Sequence, residues 1–202
     1  MNGGCMRIRM TTTFLLLLLV GLVVPSLATA GVRKDRKGSG REAFSALAQL
    51  PVAGSTANVT IYINRYSSPQ DAKGLRATLV DGGPNALLKA LQKMKPIGRI
   101  QKVGTVGFYD FKLIISTPTP TGRRIYAVTD RPIGFLEAFY SGRSKDYPFG
   151  VMELELQAND KGKEKGEGTL IYAAQIKGMD GEKVDLENLT FAPIKLLAVR
   201  KL

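Results

Sequence analysis

Val59, Ile61 and Ile63 alternate with Thr60, Tyr62 and Asn64, and this period of two predicts a strand with one buried face. The pattern then changes to a helical one. Ser68 precedes Pro69, and Asp71 follows the serine by three residues, which suits an N-cap, a proline at the first helical position and an acid in the first turn. Ala72, Leu75, Thr78 and Leu79 recur at helical spacing until Gly82 and Gly83 interrupt them. From Pro84 a second helix is expected, with Leu87, Leu88, Leu91 and Met94 on one stripe and Lys89, Lys93 and Lys95 toward its negative end. These two segments read as a helical hairpin.

Beyond Pro96 the period returns to two. "RIQKV", "FYDFKLIIS", "RRIYAVT", "VMELELQ", "GTLIYAAQI", "LENLTF" and "IKLLAVR" are short runs of β-branched, aliphatic and aromatic residues, parted by turn signals such as "TPTPTG", "NDKGKEKGEG" and "GMDGE". Neighbouring runs joined this way pair antiparallel most easily. The expected fold class is α+β: a mainly antiparallel sheet of about seven to eight strands, a barrel or a sandwich, with the helical hairpin after the first strand.

The N-terminal region has a different pattern. Residues 14–24, "FLLLLLVGLVV", are uninterruptedly apolar, Arg7 and Arg9 precede them without an acidic residue, and Ala28 and Ala30 follow in "LATAG". This order predicts a Sec-type signal peptide over residues 1–30, cleaved after Ala30. At about 1.5 Å per residue the apolar run covers roughly 16 Å of a bilayer core about 30 Å thick, so no transmembrane anchor is expected in the mature form. Residues 31–55 read as a flexible basic tether, "GVRKDRKGSGRE" and "LPVAGSTA" being rich in glycine and small residues. Between them "REAFSALAQL" is expected as a short helix. Residues 56–202 are then a single β-rich globular domain, exported to the periplasm or the extracellular space.

Composition narrows the chemistry further. Cys5 is the only cysteine and there is no histidine or tryptophan, so strong transition-metal sites and serine–histidine catalysis both lack their side chains. No phosphate-binding glycine loop or dinucleotide fingerprint is present, and neither a metal nor a cofactor is expected. Loss of Arg7 and Arg9 from 29 basic side chains leaves 27 against 17 acidic ones, a mature net charge of about +10 that favours anionic partners. Export argues against nucleic acid as that partner.

Three sets of side chains are candidates for function. Glu153 and Glu155 share one strand face roughly 7 Å apart, a separation that suits glycoside hydrolysis, although alternation with Met152, Leu154 and Leu156 reads more simply as a solvent-facing strand. Residues 85–109 lack any acid while Lys89, Lys93, Lys95, Arg99 and Lys102 accumulate, which suits contact with an anionic surface. Residues 129–150, "TDRPIGFLEAFYSGRSKDYPFG", form a proline-bounded connector in which Asp130, Arg131, Arg143 and Lys145 could hold a small ligand.

The segments "VTIYINR", "NALLKALQKM", "VTDRPIGF", "DYPFGVMELEL" and "ENLTFAPIKL" resemble a family of uncharacterised exported bacterial proteins. The resemblance covers residues 58–200 and implies a bacterial source and one shared domain, without an activity. The expected function is therefore that of an exported non-catalytic β-rich protein binding a small or amphipathic ligand or an anionic envelope component. A carboxylate-dependent hydrolase and a structural envelope protein are the alternatives.

Overall fold

The computed structural model describes residues 41–50, 55–134, 146–158, 163–180, 183–188 and 192–202. The elements are β1 (Glu42–Gln49), β2 (Thr56–Ile63), α1 (Pro69–Lys93), β3 (Gly98–Lys102), β4 (Tyr109–Thr119), β5 (Gly122–Thr129), β6 (Phe149–Ala158), β7 (Glu164–Asp180), β8 (Lys183–Asn188) and β9 (Ile194–Lys201). Consecutive strands β1 to β7 all pair antiparallel, β2 with β3 across the intervening α1; β9 joins β7 to β1. The result is a closed eight-stranded barrel, with β8 as an extra strand on the long C-terminal half of β7.

Alternation explains the interior. Phe44, Val59, Ile61, Ile63, Ile100, Phe111, Ile114, Ile125, Met152, Leu154, Leu156, Leu170, Leu196 and Val199 all point inward and fill the barrel as one cluster. On the outer face stand Tyr62, Arg99, Arg124, Tyr126, Glu153 and Glu155, whose exposure ranges from half-buried to open. No helix among the described residues is long and apolar enough to cross a membrane.

β1 corrects one expectation. "REAFSALAQL" is not a helix: Phe44, Ala46 and Ala48 are buried at a period of two, and the strand fills the place between β2 and β9 that closes the barrel. Local composition favoured helix, but the two flanking ladders satisfy this backbone only when it is extended.

The position of the helical segment is also corrected: α1 follows the second strand rather than the first, and its two helical stretches meet at a kink where Gly83 takes φ 72° and ψ −174° before Pro84. Proline supplies no N–H and disfavours helical geometry in the residue before it, so the helix bends at this pair. Both halves cover one apolar strip on the outside of the barrel: Leu75 and Leu79 before the kink, Leu87 and Leu91 after it, against Phe149, Ile171, Ala174 and Ile176. Each buried leucine contributes roughly 2 kcal/mol. The N-terminal cap is as the sequence predicts, with the Ser68 hydroxyl accepting from Asp71 N–H and the Asp71 carboxylate accepting from Ser68 N–H.

Lys112 anchors the other end of this helix. A register shift between Phe111 and Leu113 turns it outward, where the buried ammonium donates to the Met94 carbonyl at 3.0 Å and meets Asp130 at 3.6 Å. A cation at a helix C-terminus also offsets the negative end of the dipole. Lys112→Met leaves both the carbonyl and Asp130 without this partner and is expected to cost about 2 kcal/mol in equilibrium urea unfolding; an unchanged midpoint would refute the anchoring role.

Candidate functional site

The two barrel ends are finished with different chemistry. At one end the inward face of β1, β5 and β9 continues one step past its apolar residues into a charge, and β7 adds Glu164 near its start. Glu42 precedes Phe44 on β1, Arg123 precedes Ile125 on β5, Glu164 precedes Gly166 on β7, and Lys201 follows Val199 on β9. Tyr66 joins them from the link between β2 and α1.

Arg123 sits at the centre of this group. Its guanidinium donates to Glu164 through Nε and Nη2, both at 2.7 Å, to Glu42 at 3.0 Å and to the Tyr66 hydroxyl at 2.8 Å. It also lies over the rings of Phe44 and Tyr66 at 5.9 and 5.8 Å. Lys201 bridges the same carboxylates, 2.7 Å from Glu42 and 3.3 Å from Glu164. The Tyr66 hydroxyl donates to Glu42.

The proton chemistry of this end is fixed near neutrality. Burial pushes the Glu42 carboxyl up, but hydrogen bonds from Arg123, Lys201 and Tyr66 outweigh it and hold it at about 2. Burial and the bond to Glu42 raise the Tyr66 phenol above its ordinary range. Burial works against the charge on Arg123, yet Glu164 and Glu42 raise its pKa all the same. A general acid or base needs a pKa near the working pH, and these three groups are all displaced away from it. The network therefore fastens five segments of the chain at one mouth of the barrel.

The opposite end carries the β3–β4 loop. Here Arg99 lies over the rings of Tyr62 and Phe108, at 5.2 and 4.8 Å. Arg131 arrives from the end of β5, lies over the Tyr109 ring at 5.5 Å and donates to the Phe108 carbonyl at 3.2 Å. Cations held over aromatic faces gain from the ring quadrupole while their outer edges stay in water. Lys102, Thr105, Val106, Gly107, Phe108, Tyr109 and Arg131 line an open groove of about 310 Å³.

The loop is built to hold this shape. Gly104 and Gly107 take φ of 82° and 108°, where a side chain would be strained. The Thr105 hydroxyl donates to the Lys102 carbonyl at 3.0 Å, and the Gln101 amide donates to the Thr105 carbonyl at 3.3 Å. Among the described residues no carboxylate forms an ion pair with Arg99, Lys102 or Arg131. Asp110 stands opposite Arg99 in the ladder without pairing with it.

The structure divides both candidate sets. Asp130 turns to Lys112 while its neighbour Arg131 turns to the groove. Arg143 and Lys145 lie outside the described residues. From the basic run, Arg99 and Lys102 on β3 come together with Arg131, whereas Lys89 and Lys93 are exposed on α1 and Lys95 is exposed just after it. Glu153 and Glu155 do share the outer face, but Arg124 joins them, at 3.1 and 3.4 Å, and Tyr126 donates to Glu153 at 3.2 Å. Burial raises the Glu153 carboxyl against the pull of Arg124; the pair is a strand-surface ion cluster.

Sequence reasoning missed the network around Arg123. Its signal was available as charge placed at the next inward position after an apolar run, in β1, β5 and β9 alike. Comparison with known proteins finds no matching family model, curated protein or solved structure.

Proposed function

We propose that this protein is an exported, non-catalytic barrel that binds an anionic, amphipathic component of the cell envelope at the groove beside the β3–β4 loop. The observation that carries this reading is the groove that Lys102 and Arg131 line with Phe108 and Tyr109, beside Arg99 stacked on Tyr62 and Phe108, with no carboxylate pairing these cations among the described residues. Cations set among aromatic faces suit a ligand that carries negative charge and apolar surface together. Export is supported by the charged, apolar and small-residue order of residues 1–30, and a bacterial source by the resemblance of residues 58–200. The packed interior supports binding on the surface.

Monomeric dihexanoyl phosphatidylglycerol, kept below its micellar concentration, is the direct probe. Calorimetric titration is expected to show saturable binding that weakens roughly tenfold, the equivalent of one lost charge-assisted contact, in the double variant Lys102→Gln, Arg131→Gln. Binding that is absent, or that ignores both substitutions, overturns the proposal.

A further inference from the structure

The β3–β4 loop presents apolar side chains outward as well as a groove. Val106 is fully exposed, Val103 is 56% exposed and Phe108 is 43% exposed. They occupy one six-residue tip between β3 and β4, held in shape by Gly104 and Gly107 and by the Thr105 hydrogen bonds. Arg99, Lys102 and Arg131 flank this tip. A dissolved ligand in the groove would leave Val103 and the outward face of Val106 in water. A surface that is anionic at its rim and apolar beneath would cover them.

We propose that this tip docks the protein on an anionic phospholipid bilayer: Val103, Val106 and Phe108 enter the interfacial zone while Arg99, Lys102 and Arg131 take the lipid phosphates. This rests on the binding reading above and names its partner as a membrane surface. The chemistry is matched at both levels. Aromatic and aliphatic side chains settle at the boundary between headgroups and acyl chains, and basic side chains beside them are drawn to the negative surface potential. Guanidinium groups suit this position because they pair with phosphate bidentately and are weakly hydrated. Arg99 and Arg131 are further pre-positioned over the rings of Phe108 and Tyr109, so less side-chain freedom is lost when they bind.

The test is co-sedimentation of the purified protein with vesicles of phosphatidylcholine containing about one third phosphatidylglycerol, beside vesicles of phosphatidylcholine alone. Partitioning is expected to require the anionic lipid and to fall steeply at high salt. Val106→Asp, at a fully exposed position, is expected to reduce it at least tenfold. Lys102→Gln and Arg131→Gln are each expected to reduce it about fivefold. Circular dichroism of each variant confirms that the barrel is retained.

The outcomes separate the two proposals. If monomeric dihexanoyl phosphatidylglycerol binds but vesicles do not, docking is wrong and groove binding stands. If vesicles bind and Val106→Asp leaves partitioning unchanged, the tip is not the contact and the docking proposal falls. If neither monomer nor vesicle binds, both readings fall together.

Discussion

Arg123→Met is expected to lower the stability of the protein by about 3 kcal/mol, read as a shift of the urea midpoint at constant slope. Among the described residues the guanidinium is the one group that touches Glu42, Glu164 and Tyr66 together, and its removal leaves two shielded carboxylates facing the ammonium of Lys201. The penalty comes from uncompensated charge more than from lost attraction, since burying ions is costly unless each is paired. Adding Glu164→Gln to Arg123→Met should therefore restore part of the loss, an effect that simple additivity would not give. A single-variant loss under about 1 kcal/mol would show that solvent screens the network.

The same network sets a pH dependence whose sign can be worked out. The Glu42 carboxyl lies at about 2 in the folded protein against an ordinary 4.5, so the unfolded chain takes up its proton first as the solution is acidified. Stability from this group is fully present above the ordinary carboxylate range and is lost as pH falls from about 5 toward 2, by about 3 kcal/mol in all. The Tyr66 phenol is raised above its ordinary 10.0. Its contribution is present below that value and begins to be lost as the pH rises past it. In Arg123→Met the acid limb should flatten, because hydrogen bonding from Arg123 is the largest of the influences that lower Glu42.

The strands β2 to β7 and β9 were legible because each is a short run of β-branched, aliphatic or aromatic residues bounded by turn signals, with plain alternation in β2 and β6, and the helix start was legible because Ser68 and Asp71 cap it locally. Barrel closure was not legible. It depends on β1, where Phe44, Ala46 and Ala48 read as a strand face while Phe44, Leu47 and Ala48 read as a helix stripe. Only the distant partners decide: Phe44 lies opposite Ile61 on one side and Lys201 on the other. The Arg123 network shares this difficulty, since Glu42 and Arg123 stand 81 positions apart. The groove was half legible. A run without acids marked Arg99 and Lys102, but Arg131 had been grouped with Asp130 by adjacency, and the end of β5 sends these neighbours to different partners.

Gly166→Ala is expected to destabilise the barrel by about 3 kcal/mol, although alanine is ordinarily the better residue inside a regular element. Gly166 lies on β7 where that strand pairs with β6 on one side and β9 on the other, beside a register shift in the β9 ladder. A Cβ added there would overlap the Glu155 carbonyl oxygen and stand 3.1 Å from the Leu156 Cα. Both are backbone atoms of the neighbouring strand, so relief requires the ladder itself to move. Gly74 supplies the contrast, being helical with no atom within 4 Å of an added Cβ. Gly74→Ala should raise stability by roughly 0.5 to 1 kcal/mol through helix propensity and the lower entropy of the unfolded chain. Thermal and urea unfolding of both variants decide the matter: if Gly166→Ala is neutral, β6 and β7 do not approach closely at this position. Opposite signs would show that Gly166 is required for the approach of β6, the contact that, with β9 against β1, closes the sheet into a barrel.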